Sequence, residues 1–231
     1  MCGIISVAFY DELDEAKSLD VLNFGKSSLR HLNHRGPDNS DIHLINNRVL
    51  MGHTRLSING LVSEFNQPYP LRNIEDNLPR IIFNGEIFNF KELDASAMCD
   101  TKVLFNVLKR SNLNKAKLEE SLRSLNGMWS FAFYNQEKNE LFLSRDLLGE
   151  RHLFYTIDNN QLIFSSEVKP IISVTESKNE MDFNSIVTSW KFTSSAPGKT
   201  LIKNIYRLKP GTNLHFKRGV IKVNHFQKLH F

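Results

Sequence analysis

The chain opens with the stretch MCGIISVAFY at residues 1–10, in which a cysteine and a glycine precede an apolar run. The run at residues 3–9 predicts a buried strand. Two interpretations of Cys2 are open. Either Cys2 is incidentally the first residue of that strand, or Met1 is removed and Cys2 becomes the amino terminus. In the second case one residue carries both a thiol and a free α-amino group.

The composition is that of a globular protein, since 41% of the 231 residues are hydrophobic and 23% are charged. This length suits one large domain, or a domain with an appendage. Cys2 and Cys99 are too few for a disulfide framework, which indicates a reducing compartment, and we expect a cytoplasmic protein. Residues 3–9 lack a preceding basic segment, so we do not expect a signal peptide, and no apolar run is long enough to cross a membrane.

Charge is unevenly distributed along the sequence. Residues 1–182 hold all 25 acidic residues and 20 of the 29 basic ones, so their formal charge is −5, whereas residues 183–231 carry +9. The basic residues are spaced singly and no nucleic-acid motif accompanies them, so we expect no nucleic-acid partner. A solvated face is one interpretation of the basic end, and a docking face for another domain is the other.

The order of predicted elements favours a layered α+β fold over a doubly wound parallel sheet. Alternating apolar segments separated by turn residues predict hairpins within 41–54, 128–146 and 152–166. A strand, a tight turn at Asn84-Gly85 and a second strand are predicted within 80–90. Helices are predicted at 15–32, 100–111, 115–124, after Glu167 and near 183–190, and a small extension with two strands at 199–225.

A cysteine at the amino terminus carries its own base. The reference pKa of an α-amino group is about 7.7–8.0 and that of a free thiol about 8.5, so the amine can take the thiol proton directly or through a water. Nucleophile and base then share one residue, and no histidine is needed. His31 and His34 have the spacing of metal ligands, but nothing nearby supplies the other ligands, and we expect no metal site.

Other residues suit the hydrolysis of an amide by such a thiolate. The Asn84 carboxamide and the Gly85 N–H are suitable donors to an oxyanion, although a lone Asn-Gly is more often only a turn. An amino-acid substrate also needs an arginine for its α-carboxylate, and Arg55 is a candidate. Glu86 and Asp100 are candidates to accept an α-ammonium group, although Asp100 is also well placed as the N-cap of the next helix.

Eight motifs occur in the order seen in class II glutamine amidotransferase domains. They are MCGI (1–4), HRGPD (34–38), GHTRLSI (52–58), QP (67–68), NGEIFN (84–89), LNGMWSFAFYN (125–135), RDLLG (145–149) and FSSEVKP (164–170). The chain most resembles the N-terminal glutaminase half of asparagine synthetase, from Cys2 to about residue 225. This resemblance implies an N-terminal-nucleophile hydrolase fold, an αββα sandwich of two antiparallel sheets between helix layers.

The resemblance also implies roles for the candidate residues. Cys2 would be the nucleophile, and Asn84 and Gly85 would donate to the oxyanion. Arg55 and Ile58 would bind the α-carboxylate. Gly85, Glu86 and Asp100 would bind the α-ammonium group. The implied reaction is attack of the thiolate on the side-chain carbonyl of L-glutamine, release of ammonia, and hydrolysis of a γ-glutamyl thioester to glutamate. The HRGPD and SSEVKP motifs are expected to shape and brace the pocket.

The chain departs from the family pattern at several positions. Only about five residues separate Leu93 from Asp100, where the family has a longer segment that helps to close over glutamine. Lys102 stands where a glutamate is usual and brings a positive charge near the expected ammonium site. Phe88 replaces a tyrosine, and His152 replaces a proline. These departures predict poorer substrate retention and less efficient turnover.

The predicted organisation is a glutamine amidotransferase domain at residues 2–190 with a basic C-terminal extension at 191–231. No phosphate-binding glycine loop occurs, so we expect no synthetase domain and no cofactor in this chain, with ATP and Mg²⁺ only on a separate or missing synthetase domain. The expected function is to supply ammonia to that synthetase. The sequence leaves open whether the chain forms a homodimer. The alternatives are a non-catalytic relative that binds glutamine or regulates a partner, and an enzyme for a different amide.

Overall fold

The computed structural model describes residues 1–71, 77–175 and 180–228. The strands are β1 (Gly3–Phe9), β2 (Asn39–Ile45), β3 (Val49–Arg55), β4 (Arg80–Ile87), β5 (Gly127–Asn135), β6 (Glu140–Arg145), β7 (Phe154–Asp158), β8 (Gln161–Ser165), β9 (Tyr206–Arg207), β10 (Thr212–Lys217) and β11 (Val220–His225). The helices are α1 (Glu15–Arg30), α2 (Phe90–Leu93), α3 (Asp100–Ser111), α4 (Lys115–Arg123), α5 (Val168–Val174) and α6 (Phe183–Phe192), with a short 3₁₀ turn at Ser63–Phe65.

The strands form two antiparallel sheets. The order in the first is β2-β3-β1-β8-β7-β9, and the order in the second is β11-β10-β6-β5-β4. Strand β1 is central in the first sheet, since Ile5 lies opposite Gly52 of β3 and Ser165 of β8. Strand β4 is an edge strand of the second sheet, so one side of its backbone is free to bond to loops and side chains.

The main core lies between the two sheets. Alternate residues of a strand point to opposite faces, so each strand contributes every second side chain to this core. Ile4 of β1 and Met51 of β3 pack there with Ile82 of β4 and Ala132 of β5, and all four are buried. This packing brings the inner faces of β1 and β3 against the inner face of β4.

Helices cover the two outer faces. Val7 of β1 packs with Ile171 of α5, and α1 covers the same side of the first sheet. Phe83 of β4 packs with Leu104 of α3, and α4 adds Leu118 on the outer side of the second sheet. The order of layers is helix, sheet, sheet, helix, which confirms the predicted αββα sandwich.

The predicted turn at Asn84-Gly85 is wrong, because both residues lie inside the continuous strand β4. Asn84 lies opposite Ser130 of β5, and Gly85 lies opposite Trp129. A Cβ atom on Gly85 would lie 2.8 Å from the Cα of Trp129 and would also meet the carbonyl oxygen of Met128. The close approach of two strands requires this glycine, and no left-handed turn is involved.

The other predicted elements are present. Asn46 and Asn47 turn the chain between β2 and β3 with φ of 50° and 47°, a left-handed conformation that asparagine tolerates. The two further hairpins and the five predicted helices also form, with ends within a few residues of those expected. Asp100 is the first residue of α3 and not its N-cap, which is Cys99.

The basic C-terminal part is joined to both sheets. Strand β10 pairs with β6 and carries β11 on its outer side, while β9 pairs with β7. Helix α6 runs across the predicted boundary at residue 190, and the division into a domain and an extension stays a prediction. No helix within the described ranges is both long and apolar enough to cross a membrane.

Candidate active site

All seven predicted site residues line one cavity. It lies where β1 begins and β3 ends, beside the second half of β4 and the first turn of α3. The lining residues are Cys2, Arg55, Ile58, Asn84, Gly85, Glu86 and Asp100, together with Met1, Leu56, Asn59, Gln67, Phe83, Cys99, Thr101 and Arg151. Residues that are distant in the sequence therefore meet at one end of the sandwich.

Strand alternation explains why the main polar side chains face each other. Cys2 lies two residues before Ile4 and Arg55 four residues after Met51, so both continue the inner face of the first sheet. Asn84 lies two residues after Ile82 and continues the inner face of the second sheet. The apolar core thus ends in a polar layer formed by the same faces.

The Cys2 thiol is held against the end of β3. The Leu56 N–H donates to Sγ at 3.4 Å, and the thiol donates to the Leu56 carbonyl oxygen at 3.7 Å. Burial raises the pKa of the thiol, opposed by the Leu56 N–H and by the positive charges of the chain terminus and Arg55. A thiol with a raised pKa needs a base before it can act as a nucleophile.

The backbone of Cys2 is fixed by two of the sequence motifs. Arg35 Nε donates to the Cys2 carbonyl oxygen at 2.9 Å, and Arg35 Nη1 donates to Glu167 Oε1 at 2.9 Å. His34 Nε2 lies 2.9 Å from the same Glu167 oxygen. HRGPD and SSEVKP therefore meet in one hydrogen-bond network that holds the backbone of Cys2. Across the described ranges, no three His, Cys, Asp or Glu side chains are grouped as a metal site requires.

The Gly85 N–H points away from β5. Trp129, which lies opposite Gly85, bonds in the other direction: its N–H donates to Asp146 Oδ2 at 3.2 Å, and its carbonyl oxygen accepts from the Asp146 N–H at 3.0 Å. Gly85 and Trp129 are therefore a pair without mutual hydrogen bonds. The Gly85 N–H consequently projects from the free edge of β4.

Neighbouring N–H groups on this edge have acceptors. Phe83 N–H donates to Gln67 Oε1 at 2.6 Å, and Ile87 N–H donates to Asp100 Oδ2 at 3.1 Å. Between them, the Gly85 N–H has no acceptor within the described residues. Gly85 is half-buried and lines the same cavity as Cys2, so its N–H is available to a ligand there.

The Asn84 side chain supplies a second free donor. It is only 1% exposed, and neither the amide nitrogen nor the amide oxygen has a hydrogen-bond partner in the part of the chain that the structure describes. An unpaired buried polar group destabilises a fold by about 1–3 kcal/mol. A side-chain donor and a backbone donor on adjacent residues are the arrangement that stabilises an oxyanion.

Arg55 is a buried cation without an acidic partner among the described residues. Nη1 donates to the Val62 carbonyl oxygen at 3.1 Å and to Asn66 Oδ1 at 2.6 Å. Nη2 donates to the carbonyl oxygens of Asn59, at 3.3 Å, and of Gly60. The loop after β3 thus wraps around a guanidinium whose charge is not neutralised. A carboxylate entering the cavity would supply the missing negative charge.

Two carboxylates, Asp100 and Glu86, also line the cavity. Asp100 accepts the N–H groups of Ile87, at 3.1 Å, and of Thr101, at 2.8 Å. Burial is the main cause that raises the pKa of Asp100, and the negative charge of Glu86 adds to it. Asn59 Nδ2 donates to Glu86 Oε1 at 3.4 Å. A cation bound between these carboxylates would favour their ionised forms.

The sequence analysis missed Gln67, Asn59 and Arg151 as site residues. Gln67 was visible only as part of a family motif, and Asn59 only as the residue that follows the GHTRLSI motif. Nothing in the sequence pointed to Arg151 as a site residue except its position shortly after the RDLLG motif. By contrast Lys102, which was expected near the ammonium site, is exposed and does not belong to the lining. Ile58 lies at the exposed rim.

Met1 occupies the entrance of the site. Its Sδ lies 2.6 Å from Arg151 Nη1. Burial, together with the positive charges of Arg35 and Arg151, lowers the pKa of its amino group, and the Cys2 thiol opposes this shift. The cavity measures about 60 Å³ with Met1 in place.

Solved structures identify the class of protein. Glutamine phosphoribosylpyrophosphate amidotransferase from B. subtilis, complexed with ADP and GMP, aligns with 98% of this chain and 49% of its own, with a TM-score of 0.68 at 18% identity. The allosteric regulatory enzyme of purine biosynthesis aligns with a TM-score of 0.65 at 17% identity. The fold is that of N-terminal-nucleophile hydrolases.

Sequence comparison gives the family. The model of the glutamine amidotransferase domain matches residues 1–227, and the chain belongs to this family. Asparagine synthetase [glutamine-hydrolyzing] 1 of Bacillus subtilis (strain 168) is 31% identical over 221 residues, which cover 92% of this chain and 33% of the relative. Asparagine synthetase [glutamine-hydrolyzing] 2 of the same organism is 35% identical over 181 residues, which cover 75% of this chain and 22% of the relative. The chain spans 47% of the length of a Methanocaldococcus jannaschii relative.

Proposed function

We propose that this chain hydrolyses L-glutamine to glutamate and ammonia, with Cys2 as the nucleophile after removal of Met1. One observation carries the proposal. The free Asn84 carboxamide and the free Gly85 N–H line the same cavity as the Cys2 thiol. The names of the Bacillus subtilis relatives support glutamine as the substrate.

Removal of Met1 would supply both the base and the space. With Met1 attached, the nitrogen of Cys2 is an amide and cannot accept a proton. Once free, this nitrogen is an amine of reference pKa about 7.7–8.0 on the same residue as the thiol. Arg35 and Arg151 lower the pKa of the Met1 amino group, and the same positive charges would favour the neutral form of a terminal amine on Cys2. Met1 lines the cavity, so the departure of its side chain would enlarge the space beside the thiol.

The reaction proceeds by two substitutions at one carbonyl carbon. The amine of Cys2 takes the thiol proton, and the thiolate forms a C–S bond while the carbonyl π electrons move to oxygen. Asn84 and Gly85 donate to that oxyanion, an interaction worth about 2.7–4 kcal/mol for each preorganised donor. The C–N bond then breaks, and ammonia leaves with the proton held by the terminal amine. Water attacks the thioester, breaks the C–S bond, and yields glutamate and the thiol.

The remaining lining residues would orient the amino acid. Arg55 faces the α-carboxylate, with the backbone of Ile58 beside it at the rim. Glu86 and Asp100, with the backbone of Gly85, hold the α-ammonium group. Because Arg55 and the two carboxylates line the same cavity, an α-amino acid would meet groups of both charges there.

The released ammonia would serve an ATP-dependent amidation of the asparagine-synthetase type, for which ATP and Mg²⁺ belong to a synthetase portion and not to this domain. The basic C-terminal face is the proposed contact. Lys115, Lys217, Arg218 and Lys222 line a groove of about 490 Å³ there together with Glu119 and Glu140, and Lys217 pairs with Glu140 at 3.1 Å. Charge reversal of Lys217 and Arg218 is expected to weaken association with such a synthetase, measured by pull-down.

The test of the proposal is the intact mass of the purified protein before and after treatment with 6-diazo-5-oxo-L-norleucine, a glutamine-like electrophile. We expect a mass lower by one methionine, and one adduct that Cys2→Ala abolishes together with glutamate release. Cys99→Ala is the matched control, since Cys99 also lines the cavity, and it keeps the adduct. A processed chain that binds glutamine without adduct or turnover would instead indicate a non-catalytic binding protein.

A further inference from the structure

A second segment of the chain pairs with the free edge of β4 near the start of the strand. Tyr69 and Ile81 form a bridge in which each N–H donates to the other's carbonyl oxygen at 2.9 Å. The bridge is antiparallel, so a segment that continued along this edge would form its next two main-chain pairs with Phe83 and with Gly85. The Gly85 N–H would then be bonded to that segment and would be lost to a ligand.

Side chains take the two main-chain groups of Phe83 in place of such a pair. Gln67 Oε1 accepts the Phe83 N–H at 2.6 Å, and His53 Nε2 donates to the Phe83 carbonyl oxygen at 3.1 Å. Gln67 is only 3% exposed, and His53 is fully buried. The chain before Gln67 forms the 3₁₀ turn at Ser63–Phe65 and does not continue as a strand. Main-chain pairing along the edge therefore stops before it reaches Gly85.

The Gln67 side chain also reaches helix α3. Its Nε2 donates to Thr101 Oγ1 at 3.5 Å, and the Thr101 N–H donates to Asp100 Oδ1 at 2.8 Å. Asp100 Oδ2 in turn accepts the Ile87 N–H at 3.1 Å. These contacts form an edge frame along β4 that consists of Phe83, Gln67, Thr101, Asp100 and Ile87.

Gly85 lies midway between the two ends of the edge frame. The N–H groups of alternate residues point to the same side of a strand, so those of Phe83, Gly85 and Ile87 all project from the free edge of β4. The outer two donate to side chains of the frame, and the middle one has no acceptor among the described residues. A donor held on both sides in this way is preorganised for an oxyanion.

We propose that Gln67 is a positioning residue for the oxyanion donor at Gly85. Its side chain takes the place of a pairing strand, keeps the Gly85 N–H unbonded, and fixes this part of β4 relative to α3. The effect of Gln67 on rate rests on the proposed glutamine hydrolysis. The state of the Gly85 N–H is a property of the fold and is measured without activity.

The first test is Gln67→Met, which keeps the length of the side chain and removes both of its hydrogen bonds. Without this acceptor, Phe83 is free to shift or to pair with main chain, and Gly85 moves with it. The kcat for glutamate release should fall about tenfold to a hundredfold, because small displacements of a catalytic group have effects of this size. The KM for glutamine should stay within about threefold, because Arg55 and Glu86 are unchanged.

Gln136→Met is the matched control. Gln136 is 6% exposed, its Nε2 donates to the Leu78 carbonyl oxygen just before β4, and it does not line the cavity. The same chemical change at this buried glutamine should leave kcat at the wild-type value. Gln67→Glu keeps an acceptor for the Phe83 N–H in either protonation state, and it should recover most of the kcat that Gln67→Met loses.

Amide hydrogen exchange of the full chain, followed by NMR, reports on the edge frame directly. In the wild type the Gly85 amide should exchange at least about tenfold faster than the amides of Phe83 and Ile87. Gln67→Met should remove the contrast between Gly85 and Phe83, and Gln67→Glu should keep it.

Three results would overturn the proposal. They are a wild-type Gly85 amide as protected as that of Phe83, an unchanged contrast in Gln67→Met, and a kcat of Gln67→Met equal to that of Gln136→Met. A wild-type chain that releases no glutamate would instead refute the proposed function, and the exchange contrast would still decide whether Gln67 keeps the Gly85 N–H free.

Discussion

Replacement of Asn84 by alanine removes the side-chain donor to the oxyanion and leaves the Gly85 N–H in place. The loss of one such donor lowers kcat by about 10²–10³-fold. The KM for glutamine is expected to change little, because the donor acts on charge that develops only in the transition state. The measurement is steady-state glutamate release over a range of glutamine concentrations.

The Asn84→Ala variant is expected to be at least as stable as the wild type, although its activity falls. The substitution removes two buried amide atoms that have no partner in the described residues, and each unpaired group destabilises the native state by about 1–3 kcal/mol. The cavity left behind costs about 1 kcal/mol, for roughly 50 Å³ at 24 cal/mol per Å³. The variant should therefore melt no lower than the wild type, with about 2–4 °C gained per kcal/mol for a chain of this size.

Ser130→Ala is the matched control for this experiment. Ser130 lies opposite Asn84 on β5, and its hydroxyl is also buried without a partner, but it does not line the cavity. The Ser130→Ala variant should also be at least as stable as the wild type, and its kcat should be unchanged. A kcat for Asn84→Ala within about threefold of the wild type, or an equal loss in Ser130→Ala, would refute the assignment of the oxyanion donor.

Three further predictions concern substitutions of Arg55, Gly85 and His53. Arg55→Lys keeps a positive charge but cannot make the four hydrogen bonds by which the guanidinium holds the loop around the cavity, so it should raise the KM for glutamine about tenfold or more, with a smaller change in kcat; an unchanged KM contradicts the role. Gly85→Ala forces its Cβ against the Trp129 backbone and should lower the unfolding free energy by about 1–3 kcal/mol in urea titrations; an unchanged midpoint contradicts the strand geometry. Burial lowers the pKa of His53 to about 3 from an ordinary value of 6.5, so only the unfolded chain binds this proton between those pH values. The unfolding free energy should therefore fall by up to about 1.36 kcal/mol per pH unit below pH 6, and His53→Gln should reduce that slope in titrations at pH 7 and pH 5.

Local sequence signals were sufficient for most elements of the fold. Asn46-Asn47 marked a turn because asparagine tolerates a left-handed backbone, and the apolar spacing of residues 100–111 marked a helix. These features depend on neighbouring residues alone. The αββα arrangement followed from the order of family motifs and not from periodicity, because periodicity does not state which sheets pack together.

The Asn84-Gly85 error shows where local reasoning stops. Asparagine followed by glycine favours a turn by itself, yet both residues continue β4 because β5 pairs with them along the whole strand. A glycine is required at position 85 because Trp129 of β5 approaches it too closely to leave room for a Cβ atom. A preference of a few tenths of a kcal/mol to about one does not outweigh the pairing of an entire strand in a buried sheet.

The sequence by itself determined which residues gather at the site, since all seven candidates line one cavity. Only the tertiary structure decided which of their groups are free to act. Among the residues that the structure describes, the Gly85 N–H is unpaired because Trp129 bonds toward Asp146, and Arg55 has no acidic partner because a loop surrounds it with carbonyl oxygens. Arg35 holds the Cys2 backbone and is itself held by Glu167, 132 residues away in the sequence. Hydrogen-bond partners and burial depend on groups distant in the sequence, so a motif names the residue and the fold sets its chemical state.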